Sequence, residues 1–219
     1  MGLDAGETEM RVITPIKERL EEIVKISYNL LCNEIAGGGV NIHNEASLQM
    51  HLGVILKQVG RLYEFTKTDR FSIELETWQE IDGTLKSKNG RARCDILLKM
   101  GNGNEEHEVA IELKYFKKSE NEAVTDNRFS LLLDLENLEH YQVNNPNLLC
   151  YEIVYTDNPN YTKVDNRSKI KITPKISGND KPYVGRIIRL HKTYDSVWES
   201  YDNKDNNNGH HFLIIDLNN

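Results

Sequence analysis

Val109-Ala-Ile-Glu112-Leu-Lys114-Tyr-Phe116 decides the reading, because it is an apolar, strand-like run that carries two charges two positions apart. Side chains alternate along an extended chain, so Glu112 and Lys114 share one face while Ile111, Leu113 and Tyr115 share the other. Charged side chains are seldom buried unless they are paired or bind a metal. Upstream, Arg91-Ala-Arg-Cys-Asp95-Ile-Leu-Leu98 repeats the arrangement, with Asp95 as a lone acid among Cys94, Ile96 and Leu98. The stretch between them, Gly101-Asn-Gly103-Asn-Glu-Glu106, has the composition of a hairpin connection. Such a hairpin sets Asp95 opposite Glu112, close enough to share one cation.

Working outward, Asn44 is a good helix cap, and Leu48, Leu52, Ile55, Leu56, Val59 and Tyr63 form one stripe behind it. Glu45 lies in line with that stripe, so the helix is expected to turn its carboxylate inward. The plainer alternative is a first-turn acid that favours the helix dipole. Further upstream, Thr14-Pro15 reads as a cap with proline at the first helical position, opening a helix over 14–35 that Gly37-Gly38-Gly39 follows. Phe71–Trp78 alternates like a strand. Lys117–Asp126 reads as a polar loop, Arg128–Tyr141 as a helix, and Asn147–Tyr155 as another strand. Val184–Leu190 and Phe212–Leu217 are further strands, with the polar, asparagine-rich loop Tyr201–Gly209 between them. This order predicts an α/β fold, a mixed central sheet flanked by helices, in one domain over 1–219. Its core is expected at 44–155, with the N-terminal helix and the C-terminal strands as additions.

Composition narrows the functions. A formal net charge of -7 and a sequence pI near 5.6 argue against a protein that coats nucleic acid through bulk charge. One local basic surface is still compatible with them. Cys32, Cys94 and Cys150 form no CxxC pair, which predicts reduced, buried thiols rather than zinc or disulfides. Met1–Glu9 is acidic and lacks the apolar stretch of a signal peptide, and no run is long enough for a bilayer. A cytoplasmic protein is expected, with no membrane partner.

Two carboxylates supply hard oxygen ligands that suit magnesium, an ion that keeps several waters and accepts phosphate oxygens. A neighbouring lysine can orient or help deprotonate an attacking water and offset charge on a phosphate. The chemistry indicated is metal-assisted hydrolysis of a phosphodiester. A bare acid-x-Lys triplet is weak support, since about two arise by chance in a chain of this length and ordinary composition. Asp202-Asn-Lys204 is such a match, in a polar loop. Glu112 and Lys114 differ from it in context: an apolar strand, a preceding strand with its own acid, and a helix after them. A ligand-free ion cluster of the same residues would leave one buried negative charge uncompensated.

With Asn44-Glu45 and Leu48-Gln49 in a helix, then Arg93-Cys-Asp95-Ile-Leu-Leu, then Ala110-Ile-Glu112-Leu-Lys114-Tyr-Phe, the chain resembles the PD-(D/E)xK, or restriction-endonuclease-like, nuclease superfamily. The resemblance spans roughly 44–155. It implies a restriction-endonuclease-like core and a magnesium-dependent nuclease acting on DNA, of the restriction type, with manganese able to substitute. Asp95, Glu112 and the Leu113 backbone carbonyl would hold the metal. Lys114 would assist the water, and Glu45 would orient a metal-bound water or a second ion. Asn127 and Arg128, at the start of the next helix, would lie beside the substrate backbone. A homodimer would suit cutting both strands of a duplex. The proline of the family's name is missing, and Cys94 stands in its place. The alternative is a catalytically inactive, nuclease-fold binding module of a defence or mobile-element system.

Lys86, Lys88, Arg91 and Arg93 make a short basic run before Asp95. It reads equally as a phosphate-contacting surface or as a solvated loop face. Arg186 and Arg189 are expected to decorate an edge strand, and His43 to sit in a turn. His210 and His211 point to opposite faces and cannot share an ion. Trp78, Trp198 and the tyrosines are expected to pack rather than stack on bases. No Walker lysine loop or dinucleotide fingerprint is present.

Overall fold

Apolar residues spaced three and four apart build two helices that lie on one face of the sheet. The computed structural model describes residues 13–81, 84, 86, 88–117, 124–162, 175–177, 185, 187–194, 197–201 and 209–218, with only the backbone at 124–126, 128 and 175–177. Helix α1 (Ile16–Ala36) buries Ile16, Leu20, Ile23, Val24 and Leu31. Its N-cap is Pro15 rather than Thr14, and no side chain caps it. Helix α2 (Glu45–Leu62) begins as expected at Asn44, whose side chain accepts the N–H of Ser47 while Ser47 Oγ accepts the N–H of Asn44. At Gly60 the helix meets the sheet so closely that a Cβ would fall 2.2 Å from the Phe71 ring.

Strands β1 (Arg70–Glu80), β2 (Arg91–Gly101) and β3 (Glu106–Phe116) form an antiparallel meander. Helix α3 (Val124–Asn144) then crosses over to β4 (Leu148–Thr156), which runs parallel to β3. Strands β5 (Lys175–Ser177) and β6 (Ile187–Arg189) pair as a small separate sheet. Strands β7 (Glu199–Tyr201) and β8 (His210–Asp216) complete a six-stranded mixed sheet in the order β1-β2-β3-β4-β8-β7. The fold is mixed α/β, a sheet flanked by helices. Helices α1 and α2 pack with Ile96, Leu98, Val109, Ile111, Leu113, Tyr151 and Ile153 on one side. Helix α3 packs with Cys94, Leu97, Ala110, Phe116, Cys150 and Val154 on the other. Every residue of β4 is buried, as a central strand covered on both faces requires.

Some boundaries differ from expectation. Helix α3 begins at Val124, inside the stretch read as a loop, because Val124–Asn127 precede the first leucine of the apolar pattern. Of the strand expected at Val184–Leu190, only Ile187–Arg189 is extended, and residues 184 and 186 lie outside the described residues. Most of the Tyr201–Gly209 loop, Asp202-Asn-Lys204 included, also lies outside them. Strands β5 and β7 have three residues each, too few for alternation to be visible. The three cysteines are buried and unpaired. Among the described residues no helix is long and apolar enough to cross a membrane.

Candidate active site

Asp95, Glu112 and Lys114 come together because β2 departs from regular geometry at Asp95. The β2–β3 ladder runs to Ile96 opposite Ile111. Beyond that point Asp95 Oδ2 itself accepts the Leu113 N–H, at 2.8 Å. Cys94 and Ile96, two apart, would share one face of a regular strand, yet Cys94 packs on the α3 side and Ile96 on the α1/α2 side. On the neighbouring strand Leu75 pairs Ile96 and Thr77 pairs Cys94, which leaves Glu76 beside Asp95. Glu76 has φ 55°, in the left-handed region that a non-glycine residue seldom takes. Gln49 of α2 bridges the two, donating to Asp95 O at 2.8 Å and to Glu76 Oε1 at 3.1 Å.

On β3 and β4 the register sets Glu112 beside Glu152. Lys114 Nζ donates to Leu113 O at 2.9 Å and lies 3.4 Å from Glu45 Oε2 and 2.5 Å from Asp134 Oδ2. The other Asp134 oxygen is paired with Lys86. Glu112, Lys114, Asp134 and Glu152 are all buried. Glu112 Oε1 and both carboxylate oxygens of Glu152 have no hydrogen-bond partner among the described residues.

Electrostatics follow from this crowding. Burial first, and then the Asp95 charge, push the Glu112 carboxyl well above its ordinary range. Burial likewise raises Glu152, to about 8, against the pull of Lys114 and Lys86. Asp95 is raised by burial despite Lys114 and the Leu113 N–H. Burial disfavours the Lys114 ammonium, but Glu45, Glu152, Glu112 and Asp95 outweigh it and raise its pKa. Lys86 is lowered by burial and by the Lys114 charge. Five carboxyl groups thus face two ammonium groups, and the raised Glu112 and Glu152 carboxyls take up the imbalance by holding protons.

The expected residues divide into those the fold gathers and those it does not. Lys114 reaches Glu45, Asp95 accepts the Leu113 N–H, Glu112 interacts electrostatically with Asp95 and Lys114, and the Leu113 carbonyl lies against the Lys114 ammonium. Glu45 reaches Lys114 from the rim, its side chain 46% exposed, rather than turning fully inward as its place in the stripe suggested. A first-turn residue sits where the helix end meets solvent. Asn127 does not join the cluster, since its amide donates to the Tyr161 hydroxyl at 2.6 Å, and the Arg128 side chain lies outside the described residues. Arg91 and Arg93 line a cavity of about 460 Å³ together with Trp78, Lys86, Lys88 and Asn137. Trp78 is 55% exposed on its wall, so it packs at the surface rather than in the core. His210 and His211 part to Tyr155 and Ser200 respectively, consistent with opposite faces.

Asp134 and Glu152 were missed. Glu152 carries the same signal as Glu112, a lone acid in the apolar run Leu148–Thr156. Asp134 interrupts Leu131-Leu-Leu-Asp-Leu135, a place where a helix buries all its sides. Among the described residues no three acid, histidine or cysteine side chains form a ready-made cage for a metal. The oxygen donors nonetheless fit magnesium, which takes few protein ligands and keeps its own waters: two carboxylates, one with an unpaired buried oxygen, and a backbone carbonyl. Neither the family models nor the curated proteins nor the solved structures compared with this chain match it.

Proposed function

We propose that the chain is a magnesium-dependent nuclease with a restriction-endonuclease-like core, hydrolysing DNA phosphodiester bonds at Asp95, Glu112 and Lys114. The observation that carries the reading is the excess of buried carboxylate around one lysine, with unpaired oxygens on Glu112 and Glu152. Ionising Glu112 and Glu152 together with Asp95 requires positive charge beyond the two lysines, which a cation would supply. Asp95 and Glu112, with the Leu113 carbonyl, would hold the ion, which when bound supplies Lewis-acid polarisation of the phosphate.

The chain's own residues do the rest. Lys114 is held as an ammonium by the surrounding acids, so it donates hydrogen bonds to a phosphate oxygen rather than accepting a proton. Leu113 O and Asp134 hold two of its three N–H donors, and the third, on the longer 3.4 Å contact to Glu45 at the rim, is the one a phosphate oxygen would take over. Glu45, on the exposed rim, can orient a water and pass its proton to solvent. The water oxygen bonds to phosphorus, the bond from phosphorus to the sugar oxygen breaks, and that oxygen leaves with a proton from solvent.

The test is incubation of the purified chain with supercoiled plasmid and with single-stranded DNA, in magnesium, manganese or chelator. Cleavage should need the metal and fall at least ~100-fold in Lys114→Ala and in Asp95→Asn. Cutting that survives both substitutions would belong to a contaminant. If no nucleic acid is cut and no metal binds, the nuclease reading gives way to a binding module built on the same fold.

A further inference from the structure

The cavity beside the acidic cluster is built unlike the rest of this acidic chain. Lys86, Lys88, Arg91 and Arg93 concentrate around its mouth, and Trp78 and Asn137 complete the wall. Arg93 lies over the indole, 5.1 Å from the ring centroid, and is itself anchored by Glu76 at 2.9 Å. More than half of Trp78 is still exposed. Asn137 is 1% exposed, yet its carboxamide oxygen has no partner among the described residues. Among the described residues no carboxylate pairs with Lys88 or Arg91, while Lys86 is tied to Asp134 and Arg93 to Glu76.

We infer that this cavity takes an unpaired nucleotide of a single-stranded polynucleotide, its base on Trp78 and its phosphates on Lys88 and Arg91. Three features point to that ligand class. An aromatic face with flanking cations is how single strands are held without sequence reading, since every base offers a π-face and every linkage a charge. The volume suits a small-molecule-sized group and not a duplex. Bases within a duplex already stack on one another, so only an unpaired or extruded base can reach the indole. Lys86 joins the cavity to the cluster: it lines the wall and pairs with Asp134, whose second oxygen holds Lys114. A nucleotide seated here puts its neighbouring phosphodiester on the Lys114 side. The inference thus deepens the nuclease reading and rests on it for the fate of that phosphodiester, but the binding itself does not need cleavage.

The test therefore measures binding in chelator, where nothing is cut. The full chain, carrying Trp198→Phe so that Trp78 is its one indole, is titrated with ten-residue oligo-dT, oligo-U and a blunt DNA hairpin. Single strands should quench the fluorescence, with DNA and RNA arms showing which sugar is preferred, and the hairpin should bind at least tenfold more weakly. Trp78→Ala, followed by anisotropy of a labelled strand, should weaken binding roughly tenfold or more. Lys88→Ala with Arg91→Ala should lower the slope of log affinity against log salt by about 1.4. Binding unchanged by these substitutions, tighter binding of the hairpin, or no quenching by any strand overturns the inference. Cleavage without this binding would leave the nuclease reading standing, and this binding without cleavage would leave the nucleotide site standing alone.

Discussion

Two buried charged sites in this molecule are built in opposite ways. Asp69, at the turn before β1, is 1% exposed and fully partnered. Its Oδ2 accepts Arg19 Nη1 at 2.7 Å and the N–H groups of Phe65 and Thr66, and its Oδ1 accepts the Thr66 hydroxyl. Arg19 also donates to Tyr63 O, while its buried Nε has no partner among the described residues. Burial opposes the charge on Asp69, but Arg19 and Thr66 overcome it and hold the carboxyl down at about 2. Glu152 is equally buried, yet neither of its oxygens has a hydrogen-bond partner among the described residues, and its carboxyl is pushed up to about 8. One site spends its hydrogen bonds on holding α1 to the loop after α2. The other crowds Glu112 beside Glu152, so that burial keeps both carboxyls raised. Burial alone does not separate structure from function; the partners do.

The sharpest way to break this contrast is to remove one carboxylate from each site. Asp69→Ala should cost about 3–5 kcal/mol in urea denaturation, because it strands a buried guanidinium. Glu152→Gln, in chelator at pH 8, should leave stability unchanged or raise it, since it removes an unpaired acid. A large loss from Glu152→Gln would place it in the same structural class as Asp69. Next in size, saturating magnesium should raise stability by about 2.7 kcal/mol at a hundredfold excess over its dissociation constant. That gain should disappear in Asp95→Asn and persist in Arg19→Lys.

The smallest effect is the dependence on pH, and the two sites give it opposite signs. Glu152, raised from 4.5 to about 8 in the folded chain, holds a proton there that the unfolded chain has lost. Its contribution is present below pH 4.5 and drains away as pH rises toward 8. Asp69, lowered from 3.8 to about 2, contributes stability above pH 3.8 that is lost as pH falls through 2. Melting curves in chelator should therefore shift downward from pH 6 to pH 8 in the parent and less so in Glu152→Gln. If the two slopes match, Glu152 is not the group responsible.

The elements around the site were legible because their signals are local. The Asn44–Ser47 cap, the leucine stripe of α2 and the Gly101–Glu106 connection each declare themselves within a few residues. Asp95, Glu112 and Lys114 stood out for a related reason: a charge in an apolar strand conflicts with burial, and the conflict is visible in the strand itself. Glu152 carried the same conflict, but β4 pairs with β3 only through the α3 crossover, so nothing nearby in the chain linked it to Glu112. Asp134 was hidden by its leucine neighbours, and the place of Trp78 in a cavity wall by its distance along the chain from Asn137.

By itself the sequence determined the helices, the hairpin and the identity of three charged residues that a strand would not carry without a use. Only the tertiary structure decided that Lys114 answers to Asp134 on a helix and Glu45 on another, that Glu152 sits as a second buried acid beside Glu112, and that a basic run becomes the wall of a cavity around Trp78. The reason is physical. Alternation and capping act over a few bonds, whereas the free energy of a buried charge depends on groups far along the chain that packing brings within a few ångströms.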